Sequence, residues 1–258
     1  VSFLGASLAE QDAHWRTIGL KRLSLIAHEL FDPALPGILA AGGYTIEAVT
    51  HVFAQGPLPT NDEGIAAARA SLSRTIDAAA HFGARSIYML TGGRGAMSWD
   101  QAARTFCAAI RPCVIQAKVA KVALLIENAS NLYVDTHLVH TLRDTITLAE
   151  MADIGICIDH FHCWTEPGLP ALVVKALPRT GFIQLSDYVL GDHALPARAV
   201  PGDGAIPIAP FIEHVLSKKY RHGFDLELLG PRIEAEGRVA AVSRACGVVS
   251  ELLDRLGA

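Results

Sequence analysis

Four oxygen-bearing side chains stand near the ends of four separate apolar runs. They are Glu127 in ALLIENAS, Asp159 in IGICIDHFH, Gln184 in FIQLSDY and Glu227 in FDLELLG. Burying a carboxylate is costly unless its charge is compensated. Three carboxylates and an amide converging at one end of one sheet suit a hard divalent cation. His162 follows Asp159 by three residues, and an imidazole titrates where proton transfer near neutrality needs it. Around this set lie candidates for holding a substrate. His51 closes the run IEAVTHV, and Arg94 follows two glycines that allow close backbone approach to a ligand. Trp164 can wall a pocket. His193, with Asp192 and Arg198, lies in the loop 189–204, which is long enough to act as a lid. Arg232 in GPRIEAEG stands near the same mouth, where it meets an anionic group or a neighbouring Glu234 or Glu236. His160 should point away from Asp159 on an extended strand and serve packing.

The elements that must position these residues alternate along the chain. Strand-like runs fall near 1–5, 22–27, 46–52, 86–91, 122–127, 154–159, 181–186 and 224–229. Helical spacing of apolar residues marks 65–82, 100–119, 138–152 and 233–256. Strands alternating with helices of this length imply parallel βαβ units. Eight of them predict one (β/α)8 barrel, a TIM barrel spanning residues 1–258 as a single domain. The four oxygen-bearing residues then fall at the carboxyl ends of strands five to eight, the face where such barrels carry their active sites. An open doubly wound sheet would favour a glycine-rich turn after the first strand, and GASLAE supplies one glycine where that fingerprint needs three.

Composition narrows the classes. Half of the 258 residues are hydrophobic, the formal net charge is -4, and no Lys/Arg block stands out, which argues against a nucleic-acid partner. No apolar run reaches membrane-spanning length, and the N-terminus lacks a secretory pattern. Five cysteines without a CxxC pair predict reduced thiols in the cytoplasm. The start at Val1 suggests that at least an initiator Met is missing.

The segments LLIEN, IDHFHCW, IQLSDY, PGDGAIPI and LELLG resemble the xylose-isomerase-like barrels, which include sugar isomerases, ketose 3-epimerases, hydroxypyruvate isomerases, inosose dehydratases and 3-dehydroshikimate dehydratases. The resemblance implies one divalent metal held by Glu127, Asp159, Gln184 and Glu227. Gln184 stands where the epimerases usually carry His. The set is therefore all-oxygen, and Mn2+ or Mg2+ is preferred over Zn2+. The implied chemistry is proton abstraction beside a metal-chelated carbonyl of a small keto sugar or polyhydroxy keto acid, with Glu127 and Glu227 on its two faces, giving isomerisation or epimerisation. An alternative is β-elimination of water with His162 as base, and a further one is a non-catalytic binding subunit whose metal is structural. Relatives commonly pair, so a homo-oligomer is also expected.

Overall fold

The computed structural model describes residues 2–258. Seven strands form one parallel sheet in sequence order: β1 (Arg22–Ile26), β2 (Thr45–Val52), β3 (Ser86–Leu90), β4 (Ala123–Glu127), β5 (Gly155–Asp159), β6 (Thr180–Leu185) and β7 (Phe224–Leu226). The sheet curls into a nearly closed barrel, and Ser24 Oγ of β1 donates to Asp225 Oδ1 of β7 at 2.8 Å across the seam. This is the TIM barrel fold expected from the strand count, with one correction. Residues 2–5, part of the run read as a first strand, form turns, and Val1 lies outside the described residues. Gly5 takes a left-handed φ of 88°, and Ser7 caps the next helix. The segment meets β7 through a side chain, because Ser2 Oγ donates to Leu226 O and accepts from Leu228 N.

Ten helices surround the strands among the described residues: α1 (Leu8–Ile18), α2 (Leu35–Gly42), α3 (Asp62–His81), α4 (Trp99–Ala120), α5 (Leu142–Ala152), α6 (His160–Cys163), α7 (Leu169–Ala176), α8 (Ile208–Ser217), α9 (Pro231–Glu236) and α10 (Arg238–Leu256). Their starts follow local chemistry. Asn61, Ser98 and Thr141 each accept a backbone N–H at the head of α3, α4 and α5, satisfying donors that the first helical turn leaves free. The C-terminal helical pattern is broken at Gly237, with φ 90°, into α9 and α10.

Inward-facing Ala48, Tyr88, Leu125, Cys157 and Phe182 fill the barrel, with Tyr88 stacked on Phe182 at 6.0 Å. The larger apolar core lies between the strands and the helices. No helix among the described residues is long and apolar enough to cross a membrane.

Candidate active site

Register carries the acidic residues to one end of the barrel. Asp159 pairs with Gln184 and Glu127 with Cys157 across neighbouring parallel strands, while Glu227 directly follows β7. Asp159 is fixed from three directions. Asn128 donates its amide to Asp159 O at 2.8 Å and accepts from Asp159 N at 3.0 Å. The carboxylate caps α6 by accepting from Phe161 N at 2.9 Å. That short helix turns the chain so that His162 Nε2 comes within 3.4 Å of Asp159 Oδ2. His137 performs a similar service for Glu127, with its Nε2 2.7 Å from Glu127 O while its Nδ1 accepts from Thr91 N at 3.0 Å.

The centre of the group is occupied by Arg198, which the sequence offers only as one residue of a long loop. The loop returns over the barrel because Asp187 and Ala199 exchange two backbone hydrogen bonds of 2.8 Å. The Asp187 carboxylate also accepts from the N–H groups of Gly202 and Gly204 at 2.9 Å and of Ile206 at 3.0 Å. Gly204 must lack a side chain here, since a Cβ would come within 2.2 Å of Tyr188 O. So pinned, Arg198 Nη2 lies 2.6 Å from Asp159 Oδ2, 3.1 Å from Glu227 Oε1 and 3.2 Å from His162 Nε2. Its Nη1 donates to Ser186 Oγ at 2.9 Å, and its plane lies 4.7 Å from the Phe161 ring. Burial penalises this cation, but the carboxylates of Asp159 and Glu227 outweigh that penalty and hold it charged.

One guanidinium does not balance three carboxylates. Burial, then repulsion from Glu227 and Asp159, holds the Glu127 carboxyl well above its ordinary range. Glu227 is raised by burial, against the pull of Arg198. The His162 imidazole is pushed well down by burial and by Arg198, so its ring is neutral at pH 7.

Glu127, Asp159 and His162 bring one ligand atom each to within 4.8 Å of one another. Among the described residues, no hydrogen-bond donor reaches the Glu127 carboxylate. An unbalanced buried carboxylate beside a second carboxylate and a neutral imidazole is a donor set that fits a divalent cation.

The arrangement departs from the sequence expectation at two of the four ligands. Gln184 turns its amide nitrogen to Glu227 Oε2, while its Oε1 accepts from Cys157 Sγ at 3.2 Å, so its oxygen is directed into the barrel. Glu227 is taken up by Gln184 and Arg198. His162, read from sequence as a base, supplies the third donor of the cluster.

The expected substrate contacts divide in the same way. A cavity of about 490 Å3 opens beside His162, and both Trp164 and His193 line it. His51 does not reach it. The His51 ring faces outward between strand and helix, with Nδ1 3.1 Å from Thr75 Oγ1 on α3, and burial lowers its pKa to about 4. Arg94 is exposed, donates to Met97 O at 2.8 Å and lines a separate cleft with Pro57 and Leu58. The glycine before it, Gly93, lets the backbone approach the Asp135 carbonyl, where a Cβ would sit at 2.4 Å, and makes room for protein rather than ligand. Arg232 pairs with Asp192 at 3.6 Å, not with Glu234 or Glu236, in a neighbouring surface cleft. His160 stacks on Phe211 at 3.8 Å behind the strand, as packing requires.

Comparison with known proteins bears on the fold and the family. No curated protein matches the chain in sequence. Among solved structures, a protein from Sinorhizobium meliloti 1021 superposes with a TM-score of 0.80 at 20% identity, over 98% of this chain and 94% of its own. The 3-keto-D-glucoside 4-epimerase of E. coli gives 0.74 at 14% identity, over 95% and 97%. The probable 3-DHS dehydratase AsbF of Bacillus anthracis gives 0.76 at 14% identity, over 96% and 95%. At such identities these likenesses speak for the fold. A family model described as xylose isomerase-like TIM barrel matches residues 36–246, and the chain belongs to that family.

Proposed function

We propose that the protein is a divalent-metal-dependent isomerase or epimerase acting on a small polyhydroxy ketone by moving a proton at the carbon next to the carbonyl. The observation that carries this reading is geometric: Glu127 and Glu227 are two carboxyls at the two ends of the β4–β7 arc, bracketing Asp159 and Arg198. A carboxylate beside the reacting carbon can accept a proton in one step and return it in the next. Two of them bracketing one site serve the two faces of a substrate carbon.

A divalent ion bound by Glu127, Asp159 and His162 would polarise the carbonyl oxygen and offset the negative charge that develops as the C–H bond breaks. Mn2+ or Mg2+ suits the two carboxylates, and the imidazole is compatible with Mn2+. Arg198 holds Asp159 and Glu227 in place. The 3-keto-D-glucoside 4-epimerase and L-ribulose 3-epimerase folds support the reading by likeness of architecture. A lyase that eliminates water with His162 as base is the second reading, favoured by that ring's neutrality and its place on the cavity wall.

The deciding experiment incubates the Mn2+-loaded protein with a panel of keto sugars in D2O. We expect deuterium to enter the carbon beside the carbonyl without loss of water, and EDTA to stop it. Formation of an enone would replace this reading with the lyase. Absence of any metal-dependent exchange would remove both.

A further inference from the structure

The wall of the cavity beside His162 is more apolar than a free sugar requires. Its sides are the rings of Tyr133, Phe161, Trp164 and Tyr188, supplied by the loops after β4, β5 and β6. The rings are set against one another, with Phe161 and Tyr188 edge-on at 6.1 Å and Tyr133 edge-on to His162 at 6.1 Å. The mouth carries exposed leucines on two loops. Leu132 is 63% exposed and Leu195 57%, and both line the cavity; Leu190, five residues before Leu195 and outside the lining, is 71% exposed. Large apolar side chains concentrated at the rim of one cavity mark a surface shaped for an apolar ligand.

Charge points the same way. Among the described residues, none of those lining the cavity is Lys or Arg. The one carboxylate on its wall, Asp192, is engaged by Arg232 and by the N–H of Ala194 at 3.0 Å. Arg198 touches the cavity-lining His162 and Phe161, but its two terminal nitrogens are committed to Ser186, Asp159 and Glu227. A phosphate or carboxylate lodged among the four rings would meet no Lys or Arg side chain on that wall to offset its desolvation.

We infer that the substrate is an uncharged polyhydroxy ketone joined to an apolar ring, a glycoside-like molecule whose aglycone stacks among Tyr133, Phe161, Trp164 and Tyr188 while its sugar end faces Glu127 and Glu227. The inference rests on the proton-transfer reading for which end of the ligand reacts. Aromatic walls hold a flat apolar ring by stacking and by removing its surface from water. The cavity, about 490 Å3, is of a size that holds a ligand larger than a monosaccharide.

Binding can be measured without turnover, so the two readings fail separately. Phenyl β-D-glucopyranoside, methyl β-D-glucopyranoside and phenyl β-D-glucuronide are titrated calorimetrically into the Mn2+-loaded protein. The phenyl glucoside should bind roughly tenfold or more tightly than the methyl glucoside, and the glucuronide, with the same ring plus a carboxylate, more weakly than the phenyl glucoside. Trp164→Ala should bring phenyl and methyl glucosides to within about twofold of each other. Leu195→Asp, at an exposed rim position where folding is not at stake, should weaken the phenyl glucoside and spare the methyl one. Equal binding of phenyl and methyl glucosides, tighter binding of the glucuronide, or no binding of any of the three would overturn the inference. Deuterium exchange into free keto sugars would then still stand or fall by itself.

Discussion

Arg198 and Gln184 decide how the acidic residues are used. Arg198 pairs with both Asp159 and Glu227. Gln184 spends its amide nitrogen on Glu227 and its oxygen on the Cys157 thiol. Glu127 is left as the carboxylate without a partner, which makes it the residue on which cation binding should depend most. Glu127→Gln keeps the shape and removes the charge. It should weaken Mn2+ binding about tenfold or more and abolish deuterium exchange, as read by calorimetry and by NMR. His162→Ala separates the two chemistries. On the two-glutamate reading, turnover falls less than tenfold while Mn2+ affinity drops; a loss of roughly 10²–10⁴ in turnover with metal affinity intact would instead assign the base to His162. A histidine base would also lose activity on acidification, at a pH below the ordinary imidazole range because burial lowers its pKa.

At the scale of elements, the loop between β6 and α8 matters most, because it carries Arg198 back over the barrel. Asp187 holds it through three N–H groups besides that of its own neighbour Tyr188. Asp187→Ala should cost about 2–4 kcal/mol of stability, since hydrogen bonds to a charged acceptor contribute about 1.5–3 kcal/mol each and some of those freed will find water. Amide exchange at Gly202, Gly204 and Ile206 should accelerate in the same variant, and unchanged protection there would show that the loop is held by something else. The β2–α3 contact gives a pH test. His51 is buried neutral with a pKa of about 4, whereas an unfolded His titrates near 6.5. As pH falls from 6.5 to 4 the unfolded chain takes up a proton that the folded chain refuses, and stability is lost by about 1.4 kcal/mol per pH unit at most. His51→Leu leaves Thr75 its bond to Ser71 O and should remove this share of the slope in denaturant titrations, with exchange activity kept. A variant with an unaltered slope would mean that His51 is charged or exposed in the folded protein.

For the molecule as a whole, a metal held at this cluster would be linked to the fold, because the three donors come from β4, β5 and α6 and meet only in the folded barrel. A ligand bound by the folded state alone adds about 2.7 kcal/mol at a concentration 100 times its Kd. Mn2+ should therefore raise the Tm by several degrees, EDTA should reverse the shift, and Glu127→Gln should show almost none of it. An equal shift in parent and variant would place the ion elsewhere.

The sequence by itself determined the βαβ alternation, the position of strands β1 to β6 to within a residue, and the convergence of Glu127, Asp159, Gln184 and Glu227 at one end of the sheet. These follow from hydrophobic periodicity and from the rule that parallel strands end on a common face, which are local and repeating properties. Residues 2–5 carry a strand-like composition but become turns, since pairing depends on a neighbour and not on propensity. Tertiary structure alone decided that His51 faces a helix, that Arg94 and Arg232 serve surface contacts, and that Arg198 fills the centre of the acidic group. Each depends on which way a side chain leaves its backbone or on where a long loop lands. The stretch ALPARAVP, an arginine among apolar residues, was the one local sign of Arg198's burial; its partners lie 29 and 39 positions away, joined to it by hydrogen bonds that exist only once the barrel has closed around them.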